Sequence, residues 1–160
     1  MPPPAVRTIR ELIYWEYAKL ISGSAMGDRK NRAFCMHTFI RLRDEQIHPS
    51  TILRENKLLV KTGANRCEYC GASEGLEWEH IIPVSRGGPD NIDNQVLACR
   101  RCNAEKGDKC LYEWYGEERK YEIPRIAWGK YLKIVYDIHE QKGTLNQPCS
   151  KTGDLDCIFL

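Results

Sequence analysis

The chain has 160 residues, of which 42% are apolar and 29% charged, and a formal net charge of +2 at pH 7. This length and composition predict one globular unit, or a small domain with added helices. The opening Met1-Pro2-Pro3-Pro4 is unlike a signal or transit peptide, and no apolar run is long enough to cross a bilayer. We therefore expect a cytoplasmic protein without membrane contact.

Apolar periodicity predicts a helix over residues 8–21. Thr8 and Glu11 have the spacing of a capping box, and Ser22-Gly23-Ser24 would end the helix. Its predicted apolar stripe comprises Ile9, Leu12, Ile13, Tyr17, Leu20 and Ile21.

Two further helices are predicted over residues 30–43 and 51–60. The inward face of the first of these comprises Phe34, His37, Ile40 and, as a weaker candidate, Phe39. We expect His37 to pack in this helical region rather than to bind a metal.

Two Cys-x-x-Cys pairs follow, Cys67 with Cys70 and Cys99 with Cys102. Two residues between cysteines let both sulfurs turn back onto one ion, and two such pairs make a closed tetrahedral thiolate site. A closed site suits structural Zn²⁺, so any catalysis must come from other residues. Chance spacing or disulfides are the alternatives, and duplication of the pair favours zinc.

The segment between the two pairs predicts two strands and a helix. Residues 76–80 alternate as a half-buried strand does, residues 95–98 form a short apolar run that could pair with it, and residues 103–109 favour a short helix. Strict alternation places Glu79 and His80 on opposite faces. For both to reach one phosphate, the strand must end or bend near them, as the nearby Pro83 allows.

Several motifs in this segment occur in a characteristic order. They are Glu79-His80-Ile81-Ile82-Pro83, Gly87-Gly88, Asn91, Asp93-Asn94, and Cys99-x-x-Cys102-Asn103-x-x-Lys106-Gly107. With these motifs, residues 67–109 resemble an HNH endonuclease of the zinc-stapled kind. The resemblance implies an α+β fold: a ββα-metal HNH finger stapled by a four-cysteine zinc site, flanked by N- and C-terminal helices.

Phosphodiester hydrolysis needs an activated water and a charge sink on the phosphate. A neutral imidazole suits the proton transfer, so His80 is the candidate general base. A single Mg²⁺ or Mn²⁺ would take oxygen ligands, for which Glu79 and Asn103 are the candidates. The resemblance further implies that Asn94 orients His80 by holding its loop, and that Lys106 lies near the scissile phosphate.

Three positions depart from the commonest pattern of the family. Glu79 replaces Asp or His, Asn103 replaces a His and so favours Mg²⁺ or Mn²⁺ over Zn²⁺, and Gln95 replaces an apolar residue. An alternative interpretation is therefore a non-catalytic zinc-finger module that binds nucleic acid or a protein partner.

Positive charge is concentrated in residues 1–61, which contain 11 Lys and Arg against 6 Asp and Glu. Because a nuclease must hold a polyanion, we predict that these helices grip DNA, which we expect to be double-stranded. A solvated helix face explains the charge equally well. The candidate DNA contacts are Arg29, Lys30, Arg32, Arg41 and Arg43 in the helices, and Arg86, Arg100, Arg101 and Lys106 near the cut.

The C-terminal third predicts one long helix over residues 125–141, which Gly143 would end. Its predicted inner face comprises Ile126, Leu132, Val135 and Ile138. An aromatic cluster around Gly116 is more typical of packing than of base stacking. The four cysteines outside the zinc site are expected as free buried thiols, namely Cys35, Cys110, Cys149 and Cys157.

These elements predict four segments: a basic helical region 1–61, a nuclease core 62–110, a helical extension 111–143 that packs on the core, and a turn-rich tail 144–160. One finger carries one active site, so cutting both strands would require a dimer or two sequential nicks. A symmetric homodimer is the more economical hypothesis.

Overall fold

The computed structural model describes residues 2–48, 65–149 and 152–155. The chain divides into two compact units, one formed by Met1–Glu55 with Val135–Leu155 and the other by Asn56–Ile134 with Asp156–Leu160. Helices and one two-stranded sheet make the fold α+β, and this prediction is confirmed. The helix predicted over residues 51–60 lies outside the described residues, and the four-segment division stays a prediction.

Helix α1 (Ile9–Met26) opens the first unit with the expected capping box. Thr8 Oγ1 accepts a hydrogen bond from the backbone N–H of Glu11, and the Glu11 carboxylate accepts one from the N–H of Thr8. The helix does not stop at Ser22-Gly23-Ser24 as predicted. It continues to Gly27, whose left-handed φ of 70° is the conformation that ends helices.

Helix α1 is buried all round between Leu12 and Leu20 rather than along one stripe. Burial extends to charged side chains, because Lys19 Nζ lies 2.6 Å from Glu16 Oε1 with both side chains almost inaccessible. A helix that is enclosed on every side is the centre of its unit, and the charges are tolerated because they are paired.

Helix α2 (Arg32–Arg43) begins at Asn31, whose side chain accepts a hydrogen bond from Phe34 N. Its buried face comprises Cys35, Thr38, Phe39 and Leu42. The predicted inward face was therefore wrong at His37 and Ile40, which are exposed, and was confirmed at Phe39. Phe39 sets the orientation by packing edge to face on Trp15 of α1, with ring centroids 6.1 Å apart.

The C-terminal part of the chain completes the first unit. Tyr136 stacks on Tyr14 and accepts a hydrogen bond from Arg10 Nη1, and Thr8 forms an antiparallel bridge with Pro148. These contacts tie the start of α1 to segments far along the chain, since Arg10 and Tyr136 are 126 residues apart.

The second unit is built around strands β1 (Leu76–His80) and β2 (Gln95–Cys99). They pair antiparallel, from Leu76 opposite Cys99 to His80 opposite Gln95. Helix α3 (Arg100–Lys106) follows β2 without a linker, so it begins earlier than the predicted start at residue 103. Both predicted strands are confirmed.

Helices α4 (Leu111–Arg119) and α5 (Arg125–Lys142) complete the described helices. The aromatic cluster of α4 packs within the second unit, as expected: Trp114 contacts Tyr69 edge to face, and Tyr112 Oη accepts a hydrogen bond from Trp128 Nε1. No helix in the described part of the chain is long and apolar enough to cross a membrane.

The cysteines outside the Cys-x-x-Cys pairs differ from one another. Cys35 is a free, buried thiol, as expected. Cys149 is a free thiol but only partly buried, whereas Cys110 is disulfide-bonded. The expectation of a free thiol at Cys110 was therefore wrong, and Cys157 lies outside the described residues.

The capping box yields a stability prediction. Thr8→Ala removes the oxygen that satisfies the N–H of Glu11, so we expect the free energy of unfolding to fall by about 1 kcal/mol. Urea denaturation followed by circular dichroism measures this change. Thr8→Ser keeps the hydroxyl and should stay close to wild type; an equal loss in both variants would show that the methyl group, not the cap, matters.

Candidate metal centre and active site

The four cysteines of the two pairs converge in the second unit. The Sγ atoms of Cys67, Cys70, Cys99 and Cys102 all lie within 4.8 Å of one another, and three of the four residues are buried. The turn at the first pair is closed by a 2.8 Å hydrogen bond from Gly71 N to Cys67 O, with Gly71 at a φ of 79°. Four sulfurs at these separations fit a closed tetrahedral site for a structural metal such as zinc.

Cys99 joins the metal centre to the secondary structure. It ends β2 and is the N-cap of α3, where its Sγ accepts a hydrogen bond from Cys102 N. This N–H lowers the pKa of Cys99 to about 7, whereas burial raises the pKa of Cys102. A bound Zn²⁺ would compensate the burial of thiolates, since the thiolate is the form that binds metal.

The β1–β2 ribbon has a covered face and an accessible face. Glu77 and Glu79 of β1 contact α3, through Asn103 and Lys106 respectively. His80 alternates to the other face, as does Trp78, which is 57% exposed. Pairing extends through His80, so Glu79 and His80 lie on opposite faces up to the last residue of the strand.

The Glu79 carboxylate is buried and accepts hydrogen bonds at both oxygens. Lys106 Nζ lies 2.6 Å from Oε1, and Tyr69 Oη donates to Oε2 at 2.7 Å. Lys106 is completely buried and also donates to the backbone oxygen of His80 at 3.0 Å. Burial lowers the pKa of Lys106, and the nearby Glu79 carboxylate acts in the opposite direction. Lys106 is thus the counter-ion of Glu79, and its expected position near the scissile phosphate stays a prediction.

Asn103, the second expected ligand of a catalytic ion, donates from Nδ2 to Glu77 Oε1 at 2.6 Å. Within the described residues, the four cysteines are the only group of three or more His, Cys, Asp or Glu side chains placed to bind a metal. A divalent ion on Glu79 would adjoin the Lys106 ammonium, and like charges repel strongly in a poorly solvated site. In this arrangement Glu79 is paired with its own lysine, so a cation could bind the carboxylate only by displacing Lys106. The assignment of Glu79 and Asn103 as ligands of a catalytic ion stays a prediction.

The imidazole of His80 is partly exposed and held at one nitrogen. His80 Nε2 lies 2.8 Å from Asp90 Oδ1 and 3.2 Å from Gln95 Nε2. Asp90 was not among the predicted site residues. Its only sequence signal is the Gly-Gly-Pro-Asp turn that follows the Glu-His motif.

Asn94 fixes the segment that follows His80. Its Oδ1 accepts from Ile82 N at 2.9 Å, and its Nδ2 donates to Ile82 O and Pro89 O. Gly88 makes this possible, because a Cβ there would overlap Ile82 O. Asn94 thus connects the two ends of the loop between His80 and Asp90. Its contribution to catalysis stays a prediction.

The candidate DNA-contacting residues differ in accessibility. Arg100 and Arg101 are exposed, and Arg101 is 3.9 Å from Glu105. Arg86 is paired with Glu113 at 2.8 Å and donates to Asp108 O. In the first unit, Lys30 and Arg32 are exposed and Arg29 is partly buried. Their contact with DNA stays a prediction.

A two-stranded ribbon followed directly by a helix, with four cysteines gathered at their junction, defines a metal-stapled ββα domain. Residues 67–109 match the family model of the HNH endonucleases. This part of the chain is an HNH domain, as the motifs predicted. No curated protein and no solved structure matched the chain.

Close packing at Gly88 yields a second prediction. Gly88→Ala should destabilise the protein by about 3 kcal/mol or more, because the new methyl group would overlap a backbone oxygen. Gly75→Ala is the control, since Gly75 has a positive φ of 65° but a Cβ there would make only an ordinary contact, 3.9 Å from Arg100 Cγ, and backbone strain alone costs about 1–2 kcal/mol. Unfolding of the zinc-loaded variants measures both changes, and equal losses would show that the close approach at Gly88 is unimportant.

Proposed function

We propose that the protein is a metal-dependent HNH-type endonuclease that hydrolyses phosphodiester bonds in DNA. The observation that carries this proposal is the partly exposed His80 imidazole, held by Asp90 within the HNH domain. An imidazole on the accessible face of the ribbon can meet a phosphate and its attacking water.

His80 would act as the general base. If Nε2 donates its proton to Asp90, the neutral imidazole carries its lone pair on Nδ1, which can take a proton from water. The resulting hydroxide attacks phosphorus, the bond from phosphorus to the leaving oxygen breaks, and the leaving oxygen takes up a proton from the solvent. Asp90 would act as a positioning residue, because it fixes the ring and stabilises the imidazolium that forms.

The proposal includes a single catalytic Mg²⁺ or Mn²⁺ at Glu79 and Asn103, as the family resemblance implies. Such an ion would neutralise charge on the phosphate and on the leaving oxygen. Because the Glu79 carboxylate is paired with Lys106 in the structure, we assign no step of the reaction to the ion. Zn²⁺ at the four cysteines would be structural.

The proposed substrate is double-stranded DNA. Exposed Arg100 and Arg101 at the start of α3 lie in the HNH domain itself, and the N-terminal basic residues would add contacts. With one His80 per chain, cleavage of both strands would require a homodimer or two successive nicks.

One observation favours a second candidate, a non-catalytic zinc module that binds nucleic acid or a protein. The carboxylate expected to hold the catalytic ion is already neutralised by Lys106. In such a module Glu79 and Lys106 would be purely structural, and His80 would be dispensable.

A plasmid-nicking assay separates the two candidates. Zinc-loaded protein is incubated with supercoiled DNA and Mg²⁺ or Mn²⁺, and His80→Ala is expected to reduce cleavage by about 10²–10⁴-fold because the base is lost. Asp90→Asn should reduce cleavage less, since the base remains. His37→Ala is the matched control, because His37 is an exposed histidine of the first unit.

The nuclease proposal requires that His80→Ala still binds DNA and retains its zinc. Equal cleavage by wild type and His80→Ala would remove His80 as the base. No cleavage by folded, zinc-loaded wild type with either ion would favour the binding module.

The N-terminal basic residues yield a separate prediction. Neutralising Arg29, Lys30 and Arg32 to Gln should flatten the plot of log binding constant against log salt, by up to about three units of slope. The control carries the same charge change at Arg119, Lys133 and Lys142. An unchanged slope in the first variant, or an equal change in both, would refute the assignment.

A further inference from the structure

The pair formed by Glu79 and Lys106 is shut off from solvent on both sides. The side chains of Lys106 and Glu79 are 0% and 3% exposed, and Nζ and Oε1 are 2.6 Å apart. A buried charge is stable only when it is paired, so each group needs the other or a substitute of the same sign.

Three hydrogen bonds fix this pair in place. Besides the bond between the two partners, Tyr69 Oη donates to the second oxygen of Glu79, and Lys106 makes its own second bond to the backbone oxygen of His80. The lysine therefore links the carboxylate on the covered face to the backbone of the candidate base. The side-chain amide of Asn103 donates a hydrogen bond to Glu77 rather than to this pair.

The Glu79 carboxylate cannot bind the Lys106 ammonium and a divalent cation together without weakening both interactions. A cation on either oxygen of Glu79 would lie within a few ångströms of Lys106 Nζ, where like charges repel because little water screens them. The cation would therefore have to displace the lysine from the carboxylate.

We propose that Lys106 and the divalent cation compete for the Glu79 carboxylate, and that Lys106 thereby sets the affinity of this site for the cation. The inference rests on the proposed function, because it concerns the cation that the proposed nuclease would use. Lys106 is the last residue of α3, directly before Gly107, so the lysine that a cation would displace lies at the end of a helix.

Four zinc-loaded variants test this competition. Lys106→Met removes the ammonium at nearly constant volume, Glu79→Gln removes the carboxylate charge, and the double variant Glu79→Gln/Lys106→Met removes both. Lys109→Met is the matched control, because it removes the same charge from an exposed lysine a few positions later.

Mn²⁺ is the probe, since it prefers oxygen ligands and leaves zinc on the thiolates. Its dissociation constant is measured from the electron paramagnetic resonance signal of free Mn²⁺, and the thermal midpoint of each variant is measured with and without Mn²⁺. Neither readout requires cleavage of DNA.

We expect Lys106→Met to bind Mn²⁺ at least about tenfold more tightly than wild type, because the repelling charge is gone. Without Mn²⁺ this variant should melt at a lower temperature, as its carboxylate is buried and unpaired, and Mn²⁺ should restore the midpoint. Glu79→Gln/Lys106→Met should show no such restoration, and Lys109→Met should behave as wild type.

Equal Mn²⁺ affinity in wild type, Lys106→Met and Lys109→Met would overturn the proposal. So would binding by Glu79→Gln/Lys106→Met as tight as that of Lys106→Met, because the cation would then sit elsewhere.

A measurement on the wild type covers the case in which Lys106→Met does not fold. Lys106 should resist acylation without Mn²⁺ and become labelled when Mn²⁺ displaces it, as read by mass spectrometry of the peptide. Lys109 should be labelled in both conditions. Continued protection of Lys106 at saturating Mn²⁺ would overturn the competition.

These outcomes are distinguishable from failure of the proposed function. Competition at Glu79 without any DNA cleavage would support the inference and contradict the proposed nuclease activity. Cleavage that depends on His80 would support the nuclease proposal. If the same protein bound Mn²⁺ with an affinity that Lys106→Met did not change, the inference would be contradicted.

Discussion

The metal centre is the constraint on which the HNH domain depends. Cys99 is at once the end of β2, the cap of α3 and the source of one of the four sulfurs, so a single ion bound there would fix the angle between ribbon and helix. The first cysteine pair is joined to the same ribbon, because Glu68 N donates to Leu97 O. With only two strands and a two-turn helix to bury, such a domain lacks an apolar core large enough to hold this geometry alone.

Because side chains alternate along β1, the two faces of the ribbon carry different functional groups. The face covered by α3 carries Glu79 and its buried lysine, where low dielectric makes charge pairing obligatory. The other face carries His80 and Trp78, where water and a substrate can enter. The loop tied down by Asn94 brings Asp90 to the accessible side, so the imidazole receives a carboxylate partner from the loop and not from its own strand.

The sequence predicted what is determined locally. Cysteine spacing predicted the cluster of four sulfurs, two-residue periodicity predicted β1, and a short apolar run predicted β2 to within one residue. Partners distant in the chain were not predictable: Tyr69 and Lys106 meet Glu79 across 10 and 27 residues, and no local pattern encodes those contacts. The predicted orientation of α2 was wrong for the same reason. Phe39 packs on Trp15 of another helix, so the helix face that contains Phe39 is buried and the face that contains His37 is not. Cys110 shows this limit as well, because spacing alone does not reveal a disulfide.

Burial of the Glu79 carboxylate connects the stability of the fold with the binding of a cation. The side chain reaches into the covered layer, where it meets both Tyr69 and Lys106. Once buried there, its charge must be neutralised in every state of the folded protein, either by the ammonium or by a metal cation. Stability of the fold and affinity for the cation are then linked: whatever free energy the lysine pair contributes to folding must be given up when a cation replaces it. A lysine at this position therefore stabilises the cation-free domain and weakens cation binding by the same interaction.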